Sequence, residues 1–268
     1  MIDILLPAIY VGVIALLLGG VLAVVSVIFK VETDERAEKI TQTLPGANCG
    51  GCGYTGCSAY ADAIISGGAP LNLCPVGGKA VYEEIADIMG AKVEAFVEKK
   101  AFVRCSGDCE KASLKFEYVG IQDCSAAQRV SGGRKSCPNG CLGFGTCLKA
   151  CKFGAIKMEN SIAYVDREKC TGCGSCAKAC PRAIIEMVPA DNPSAVACNS
   201  RDKGAEVRKH CKAGCLGCGI CAKTCEENAI EIIENLAKID YNKCTGCMKC
   251  VEKCPAKCIV NILMPNRI

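Results

Sequence analysis

The sequence predicts an α+β protein with an apolar N-terminal helix, a small four-cysteine domain and two tandem copies of one cysteine-rich module. Three observations indicate this architecture. Residues 4–29 carry no charge, and 26 of the 268 residues are cysteines. Residues 124–194 match residues 198–268 at a constant offset of 74 without a gap. Self-similarity at a fixed period is the signature of a duplicated structural unit.

Each copy of the repeat contains the run C-x2-C-x2-C-x3-C-P, at Cys170–Pro181 and at Cys244–Pro255. Three thiolates at this spacing bind one cubane, and the fourth cysteine binds a second cluster. The run therefore predicts two tandem bacterial-type 2[4Fe–4S] ferredoxin-like modules, at 104–194 and 195–268. Structural zinc, which also accepts C-x2-C pairs, is the alternative.

The composition favours bound metal over disulfides. The chain has one histidine, no tryptophan and 5% aromatic residues, so its small modules lack the apolar volume for stable cores. The cysteines lie in short runs, whereas secreted disulfide scaffolds have dispersed cysteines and a signal peptide. We expect thiolate-bound iron in a reducing compartment. The formal charge of +4 offsets cluster charge, and no nucleic-acid partner is expected.

The uncharged segment at 4–29 predicts a single-pass transmembrane anchor at 1–30, because a helix of this length exceeds the ~30 Å hydrocarbon core. Only Asp3 precedes the segment, while basic residues such as Lys30 and Arg36 follow it. The positive-inside rule then places the cluster domains on the cytoplasmic side of the cell membrane. A buried core helix is the alternative. A juxtamembrane linker is expected at 31–45.

A separate four-cysteine domain is predicted at 46–78. Its ligand run is C-x2-C-x4-C-x16-C followed by proline, and it suits one [4Fe–4S] cluster with the ligands Cys49, Cys52, Cys57 and Cys74. Residues 58–66 are expected to form a helix. The apolar residues of 79–103 recur at roughly helical spacing, which predicts a helical spacer.

The two copies differ at one ligand position, because Phe144 stands opposite Cys218. Copy one then needs another ligand, and Cys137 is the nearest candidate. The predicted sets are Cys137, Cys141, Cys147 with Cys180; Cys170, Cys173, Cys176 with Cys151; Cys215, Cys218, Cys221 with Cys254; and Cys244, Cys247, Cys250 with Cys225. With the four-cysteine domain, these sets give five [4Fe–4S] clusters.

A sixth cluster is expected from the remaining cysteines. Its predicted ligands are Cys105, Cys109 and Cys124, with either Cys198 or Cys211 as the fourth; free or buried thiols are the alternative. Cys258 stands opposite Ile184 and is expected to be a packed thiol.

The chain lacks the motifs of nucleotide-dependent chemistry. No G-x-G-x-x-G follows a strand pattern, and no GK[ST] phosphate loop is present. His210 is expected in a solvated loop, and no acid–base pair stands out. We therefore expect no catalytic residue: the chain carries electrons, and other chains carry out the hydride and ion chemistry.

In its order of domains, the chain resembles the B-subunit family of the Rnf complexes in their longer form, over nearly its entire length. The match rests on NCGGCGYTGC at 48–57, LCPVGG at 73–78, RCSGDC at 104–109 and GCLGFGTC at 140–147. The sequence departs from the family pattern at Lys152 and Glu226, where proline is common.

The resemblance implies a subunit of a membrane-bound, ion-translocating ferredoxin:NAD+ oxidoreductase. Such a subunit accepts electrons from soluble reduced ferredoxin and relays them to integral membrane subunits, and finally to a flavin subunit that reduces NAD+. Electron flow is coupled to Na+ or H+ translocation. The alternatives are an iron–sulfur subunit of another membrane redox complex, a corrinoid methyl-transfer subunit and a zinc-stabilised adaptor.

Overall fold

The computed structural model describes residues 2–28, 34–92 and 97–264. The chain begins with α1 (Ile2–Ile28), in which the side chains of residue 10 and residues 12–25 are described. Large apolar side chains of α1 are exposed, Leu16 by 78% and Leu22 by 68%. Among the residues that the structure describes, none forms a helix with the length and apolarity to cross a membrane. Phe29 and Lys30, the last residues of the predicted anchor, lie outside the described residues.

Three helices form the N-terminal domain: α2 (Glu35–Thr43), α3 (Cys57–Ile65) and α4 (Gly78–Met89). Its core contains Ile40, Tyr60, Ile64, Tyr82 and Ile85, each no more than 2% exposed. The helix predicted at 58–66 is confirmed as α3. Ile40 and Leu44, from the predicted linker at 31–45, and Tyr82 and Ile85, from the predicted spacer, also lie in this core. Residues 46–78 alone carry too few large apolar side chains to form one.

The first ferredoxin-like module contains four strands and three short helices: β1 (Lys99–Val103), α5 (Cys124–Arg129), α6 (Thr146–Ala150), β2 (Ile156–Glu159), β3 (Ile162–Val165), α7 (Ser175–Ala179) and β4 (Ile185–Pro189). β1 pairs antiparallel with β4, and β2 pairs antiparallel with β3. The helix predicted for the spacer at 79–103 therefore ends at Met89. The last five residues of the predicted spacer form β1 instead, and its residues Ala101 and Val103 pack in the core of the module.

The second module repeats this order: β5 (Ser194–Val196), α8 (Gly204–His210), α9 (Ile220–Thr224), β6 (Ile230–Ile233), β7 (Leu236–Ile239), α10 (Lys249–Lys253) and β8 (Ile259–Asn261). β5 pairs antiparallel with β8, and β6 pairs antiparallel with β7. The inner hairpins turn at Asn160–Ser161 and at Glu234–Asn235, with positive φ at all four residues. Two-residue turns with two positive φ angles match the twist of the flanking strands.

The two modules share an apolar interface and a backbone ladder. Phe102 and Val188 of the first module are buried together with Ala195 and Ile262 of the second. The segment 111–115 joins them further: Ser113 N–H donates to the carbonyl of His210, and Lys212 N–H donates to the carbonyl of Lys111. These contacts join the two modules into one unit.

Candidate metal centres

Every cysteine except Cys109 and Cys258 falls into one of six groups of four. We number the groups as sites I to VI: site I, Cys49, Cys52, Cys57, Cys74; site II, Cys151, Cys170, Cys173, Cys176; site III, Cys124, Cys141, Cys147, Cys180; site IV, Cys105, Cys137, Cys198, Cys211; site V, Cys215, Cys218, Cys221, Cys254; site VI, Cys225, Cys244, Cys247, Cys250. Among the described residues, no three Cys, His, Asp or Glu side chains are placed to hold a single metal ion.

Site I is held in place by hydrogen bonds from the N-terminal core. Tyr60 donates to the carbonyl of Pro70 at 2.7 Å and accepts the N–H of Leu73 at 3.0 Å, which fixes the loop before Cys74. Tyr82 donates to the carbonyl of Cys74 itself. Burial raises the pKa of Tyr60 to about 12, so its hydroxyl stays protonated and able to donate. These four cysteines are those predicted from the sequence.

Sites II, V and VI also contain the cysteines that were predicted together. In site II the thiol of Cys176 lies beside Cys151, Cys170 and Cys173. In site VI the thiol of Cys250 lies beside Cys225, Cys244 and Cys247. The four cysteines of site V line one cavity. The last cysteine of each C-x2-C-x2-C-x3-C run turns away to the neighbouring site, as two-cluster ferredoxins require.

Site III corrects the predicted grouping. Its cavity is lined by Cys124 rather than by Cys137, together with Cys141, Cys147 and Cys180. Cys124 begins α5, and its N–H donates to the hydroxyl of Thr146 at 2.8 Å, at the start of α6. Thr146 in turn donates to the Asp123 carboxylate at 2.7 Å. These two hydrogen bonds bring Cys124 next to Cys147.

The pairing of the strands explains why the gapless alignment of the two copies placed Cys124 opposite Cys198. Val103 pairs with Ile185, and Val196 pairs with Ile259, the repeat partner of Ile185. Two residues beyond these valines stand Cys105 and Cys198, so Cys105 is the structural equivalent of Cys198. Copy one has 31 residues between Cys105 and Cys137, whereas copy two has 12 between the equivalent pair. The longer segment supplies Cys124.

Site IV combines cysteines of both modules and differs from the predicted sixth set. Cys105 and Cys137 come from the first module, Cys198 and Cys211 from the second, and all four line one cavity. Cys109, a predicted ligand, is exposed and lies outside this cavity. Both candidates for the fourth ligand, Cys198 and Cys211, are present. His210, expected in a solvated loop, ends α8 and also lines the cavity.

Backbone N–H groups point at several of these sulfurs. Ala101 N–H donates to Cys170 Sγ at 3.4 Å, and Ala229 N–H donates to Cys225 Sγ at 3.4 Å. Cys141 N–H donates to Cys105 Sγ at 3.3 Å. Such donors stabilise thiolate ligands and tune iron–sulfur sites. The cysteine sets therefore fit [4Fe–4S] clusters in number, spacing and surroundings.

Burial keeps several of these thiols protonated when no metal is bound. It raises the pKa of Cys141 to about 11, and the pKa values of Cys147 and Cys198 to about 12. Thiolate is the ligand form, so cluster binding must displace these protons and supply the compensating positive charge of iron.

The N-terminal domain contacts the first module at site II. A Cβ on Gly51 would lie 2.9 Å from the carbonyl oxygen of Cys173, so the two backbones touch. Lys178 Nζ donates to the carbonyl of Gly50 at 3.1 Å, and Lys152 Nζ donates to that of Asn48 at 3.2 Å. Lys152, the residue after Cys151, therefore contributes to this contact.

The six sites follow one another without a gap. Site I contacts site II through Gly51. Cys147 of site III lies beside Cys176 of site II. Cys141 of site III donates to Cys105 of site IV, and Cys215 N–H of site V donates to the Cys198 thiol of site IV. α9 and α10, which carry cysteines of sites V and VI, pack against each other.

Comparison with known families matches three regions of the chain. Residues 44–76 match a family described as an Fe-S cluster domain, residues 163–186 a 4Fe-4S binding domain, and residues 214–258 a 4Fe-4S dicluster domain. The three regions contain all of site I, three cysteines of site II, and all of sites V and VI.

Three curated relatives cover most of the chain. The B subunit of the Na(+)-translocating ferredoxin:NAD(+) oxidoreductase complex of Acetobacterium woodii is 46% identical over 257 residues, 96% of this chain and 77% of that protein. The B subunit of the proton-translocating complex of Clostridium ljungdahlii is 46% identical over 94% of this chain and 90% of that protein. The B subunit of the ion-translocating oxidoreductase complex of Methanosarcina acetivorans is 40% identical over 90% and 92%, respectively.

The chain belongs to this family of B subunits of Rnf-type oxidoreductase complexes. The family predicted from the sequence is confirmed, and so are the 4Fe-4S domains. The similarity spans the four-cysteine domain together with both modules, which sets aside a corrinoid subunit and the subunit of an unrelated redox complex.

From the sequence, Cys211 was only one of two candidates for the sixth set, and Cys124 was not grouped with the cysteines of site III. A usable signal was present: Asp123 directly precedes Cys124 and is followed by a short helical stretch. Asp is a preferred N-cap residue, and its carboxylate does accept the N–H groups of Ser125 and Ala126. That signal places Cys124 at the start of a helix, apart from Cys105 and Cys109.

Proposed function

We propose that this chain is the iron–sulfur subunit through which a membrane-bound Rnf complex takes electrons from reduced ferredoxin and relays them towards NAD+, coupled to Na+ or H+ translocation. The observation that carries the proposal is the unbroken row of four-cysteine sites, together with membership in the B-subunit family. The chain itself only carries electrons; integral membrane subunits and a flavin- and NAD-binding subunit complete the complex.

We assign [4Fe–4S] clusters to all six sites, I to VI; site IV, whose four cysteines line one cavity between the modules, takes the sixth. When bound, such clusters accept and release single electrons over a wide range of potentials. The chain's own residues hold the sites in place, and at several sites they also shield sulfurs from water or donate backbone N–H groups to them. Cys141 and Cys147 of site III, for example, are each 7% exposed.

We further propose that α1 anchors the chain as a single pass, with the sites on the cytoplasmic side. This proposal rests on the sequence: residues 4–29 carry no charge, and a helix of that length would be about 40 Å long, more than the hydrocarbon core. Its exposed leucines suit lipid contact. Lys39, in α2, follows it on the side of the sites, in keeping with the positive-inside rule.

The direction of electron flow is proposed from the two ends of the row. Site I lies close to the anchor in sequence, so we assign it the transfer to the membrane subunits. At the other end, Cys247 of site VI is exposed. Its repeat partner Cys173 is covered by Gly51 of the N-terminal domain. The first module uses the surface around Cys173 to contact the N-terminal domain, whereas the equivalent surface around Cys247 of the second module is open. We assign the docking of ferredoxin to this open surface.

Cys49→Ala tests the function. In membranes that carry the complex, this variant is expected to abolish ferredoxin-driven NAD+ reduction. Cys109→Ala is the matched control, because Cys109 is exposed and outside every site. Wild-type activity of the Cys49→Ala complex would overturn the proposal, as would a purified chain that contains stoichiometric zinc and little acid-labile sulfide.

Gly51→Ala tests the contact between sites I and II. The added Cβ forces the Cys173 backbone away, so NAD+ reduction is expected to fall while iron per chain stays constant. Gly68→Ala is the control, since its Cβ would lie 3.6 Å from the nearest atom. Unchanged activity in Gly51→Ala would contradict the proposed route.

A further inference from the structure

We propose that two cations of the first module, Lys135 and Arg182, raise the reduction potentials of sites IV and III, so that an electron entering through the second module moves downhill into the first. The inference rests on the proposed function and names the residues that favour this direction of transfer. Both side chains act through their charge on the sites that they border.

Lys135 is buried beside site IV. It is 2% exposed and lines the cavity of that site. Its ammonium donates to the carbonyls of Gly107 and Ser161 at 2.7 and 2.9 Å. Within the part of the chain that the structure describes, no carboxylate forms an ion pair with it. Carbonyl groups carry no net charge, so the positive charge of the ammonium acts on the neighbouring site.

Arg182 borders sites III and IV at once. It lines the cavity of site III. Its guanidinium lies beside two cysteines of each site: Cys141 and Cys180 of site III, and Cys105 and Cys137 of site IV. One Nη donates to the carbonyl of Gly132. Nε and the other Nη are buried and have no hydrogen-bond partner among the described residues. Arginine keeps its charge in proteins, and a buried charge needs compensation, which a net negative four-thiolate cluster on either side supplies.

The second module has no such charge at the equivalent positions. The repeat partner of Lys135 is Lys209, whose side chain is 65% exposed and pairs with Glu206 at 2.6 Å. The repeat partner of Arg182 is Ala256. Among the described residues that line the cavity of site V, none has a charged side chain. The two buried cations therefore distinguish the first module from the second.

Other polar groups beside these sites have weaker effects. Asp202 lines the cavity of site IV, but it is partly exposed and accepts the Ser200 hydroxyl at 3.0 Å, so its negative charge is screened. Arg104, in the same cavity, pairs with Glu186 at 3.5 Å and adds little net charge. Cys258 beside site V is a neutral donor, which stabilises a negative cluster less than a full charge does.

A positive charge stabilises the reduced form of a nearby cluster, because reduction adds a negative charge. Sites III and IV then hold an electron more strongly than site V does. Transfer across the contact between the modules oxidises site V by one electron and reduces site IV by one electron, and no bond is made or broken. An electron that reaches site V is thus drawn towards site I and the membrane.

The test is a redox titration of the purified full-length chain, followed by electron paramagnetic resonance, with iron and sulfide counted in the same preparation. Cys198→Ala, expected to lack the site IV cluster, identifies the site IV step by its difference from wild type. Lys135→Gln keeps a hydrogen-bond donor and removes the charge. At the potential that half-reduces site IV in the wild type, Lys135→Gln is expected to lower its ratio of reduced to oxidised cluster at least tenfold, a shift of about 59 mV.

Three variants serve as matched comparisons. Lys135→Arg keeps the charge and is expected to titrate close to the wild type. Lys209→Gln removes the exposed repeat partner and is expected to leave the site IV step unchanged. Arg182→Gln is expected to lower the potentials of sites III and IV together, and Arg182→Lys should restore most of that shift.

Each outcome decides. A lowered site IV potential in Lys135→Gln with about 24 iron retained, and wild-type values in Lys135→Arg and Lys209→Gln, supports the inference. An unchanged potential in Lys135→Gln at full iron overturns it and leaves the proposed function intact, as do equal shifts in Lys135→Gln and Lys209→Gln. A wild type with little iron and sulfide overturns the proposed function instead.

A loss of iron in Lys135→Gln would leave the decision to Arg182→Gln, read in the same way. If both variants lose iron, the wild type decides. Its site IV step is expected at a higher potential than its site V step, which Cys218→Ala identifies by difference. The reverse order would overturn the inference.

Discussion

The two ferredoxin-like modules have the same order of strands and helices, yet they obtain the ligands of sites III and V from different places. Site V takes Cys218 from its own loop. Site III has Phe144 at that position and uses Cys124, which the longer segment of copy one supplies. Phe144 packs against Tyr118 of the same segment, with ring centroids 5.0 Å apart. The comparison shows that equivalent four-cysteine sites keep their place in the fold, while the fourth cysteine can come from another part of the chain.

The modules also differ beside those sites. Ile184 packs near site III, whereas its repeat partner Cys258 lies near site V with its sulfur 3.6 Å from that of Cys254. Hydrogen bonds from Cys258 hold the pKa values of Cys254 and Cys215 below their usual range. A thiol whose single proton can be donated to either of these sulfurs distinguishes site V from site III.

The largest expected effect comes from removing the Cys124 thiol from site III and then placing a cysteine at residue 144 instead. Cys124→Ala is expected to lose about four iron per chain, and Cys218→Ala is expected to lose the same amount from site V. Adding Phe144→Cys to Cys124→Ala should restore most of that iron, because residue 144 is the repeat partner of Cys218. Iron and sulfide analysis of the single and double variants checks this.

Adding Phe144→Cys to Cys218→Ala serves as the control, since a cysteine at residue 144 cannot reach site V. If Cys124→Ala kept its iron, the assignment of Cys124 to site III would be contradicted.

A smaller effect is expected from the hydrogen bonds that place Cys124. Asp123 caps α5, and the hydroxyl of Thr146 holds the pKa of its carboxyl below the usual value. Asp123→Ala removes the cap and the contact with Thr146, so a melting temperature a few degrees lower and faster iron loss are expected. Glu117→Ala, at an exposed acidic residue of the same segment, should match the wild type in thermal unfolding. Equal iron release from the two variants would rule out this positioning role.

The smallest expected effect concerns the potential of site V. A thiol donor stabilises the more negative, reduced cluster, so Cys258→Ile should lower the potential of site V by about 20 to 60 mV. Cys258→Ser keeps a donor and should shift it less. A redox titration followed by electron paramagnetic resonance measures both variants. A potential that does not change in Cys258→Ile would show that this hydrogen bond does not distinguish the modules.

The sequence was sufficient to predict the cysteine sets of sites I, II, V and VI, because each follows a local spacing that a tight loop can satisfy. Sites III and IV depend on contacts across longer distances. The gapless offset placed Cys124 opposite Cys198, and only the pairing of Val103 with Ile185 identifies Cys105 as the true equivalent. The predicted range of the N-terminal domain, 46–78, was also too short. Ile40 and Tyr82 lie outside that range, and their burial is decided by the packing of helices.

The measurement that tests the account most directly is ferredoxin-driven NAD+ reduction by complexes that contain Cys198→Ala, alongside the iron content of the same preparation. The central claim is that the sites form one continuous path through site IV. We predict about 20 iron per chain, with five sites intact, and NAD+ reduction at the background rate. Wild-type activity at that iron content would show that electrons do not need site IV and would contradict the account.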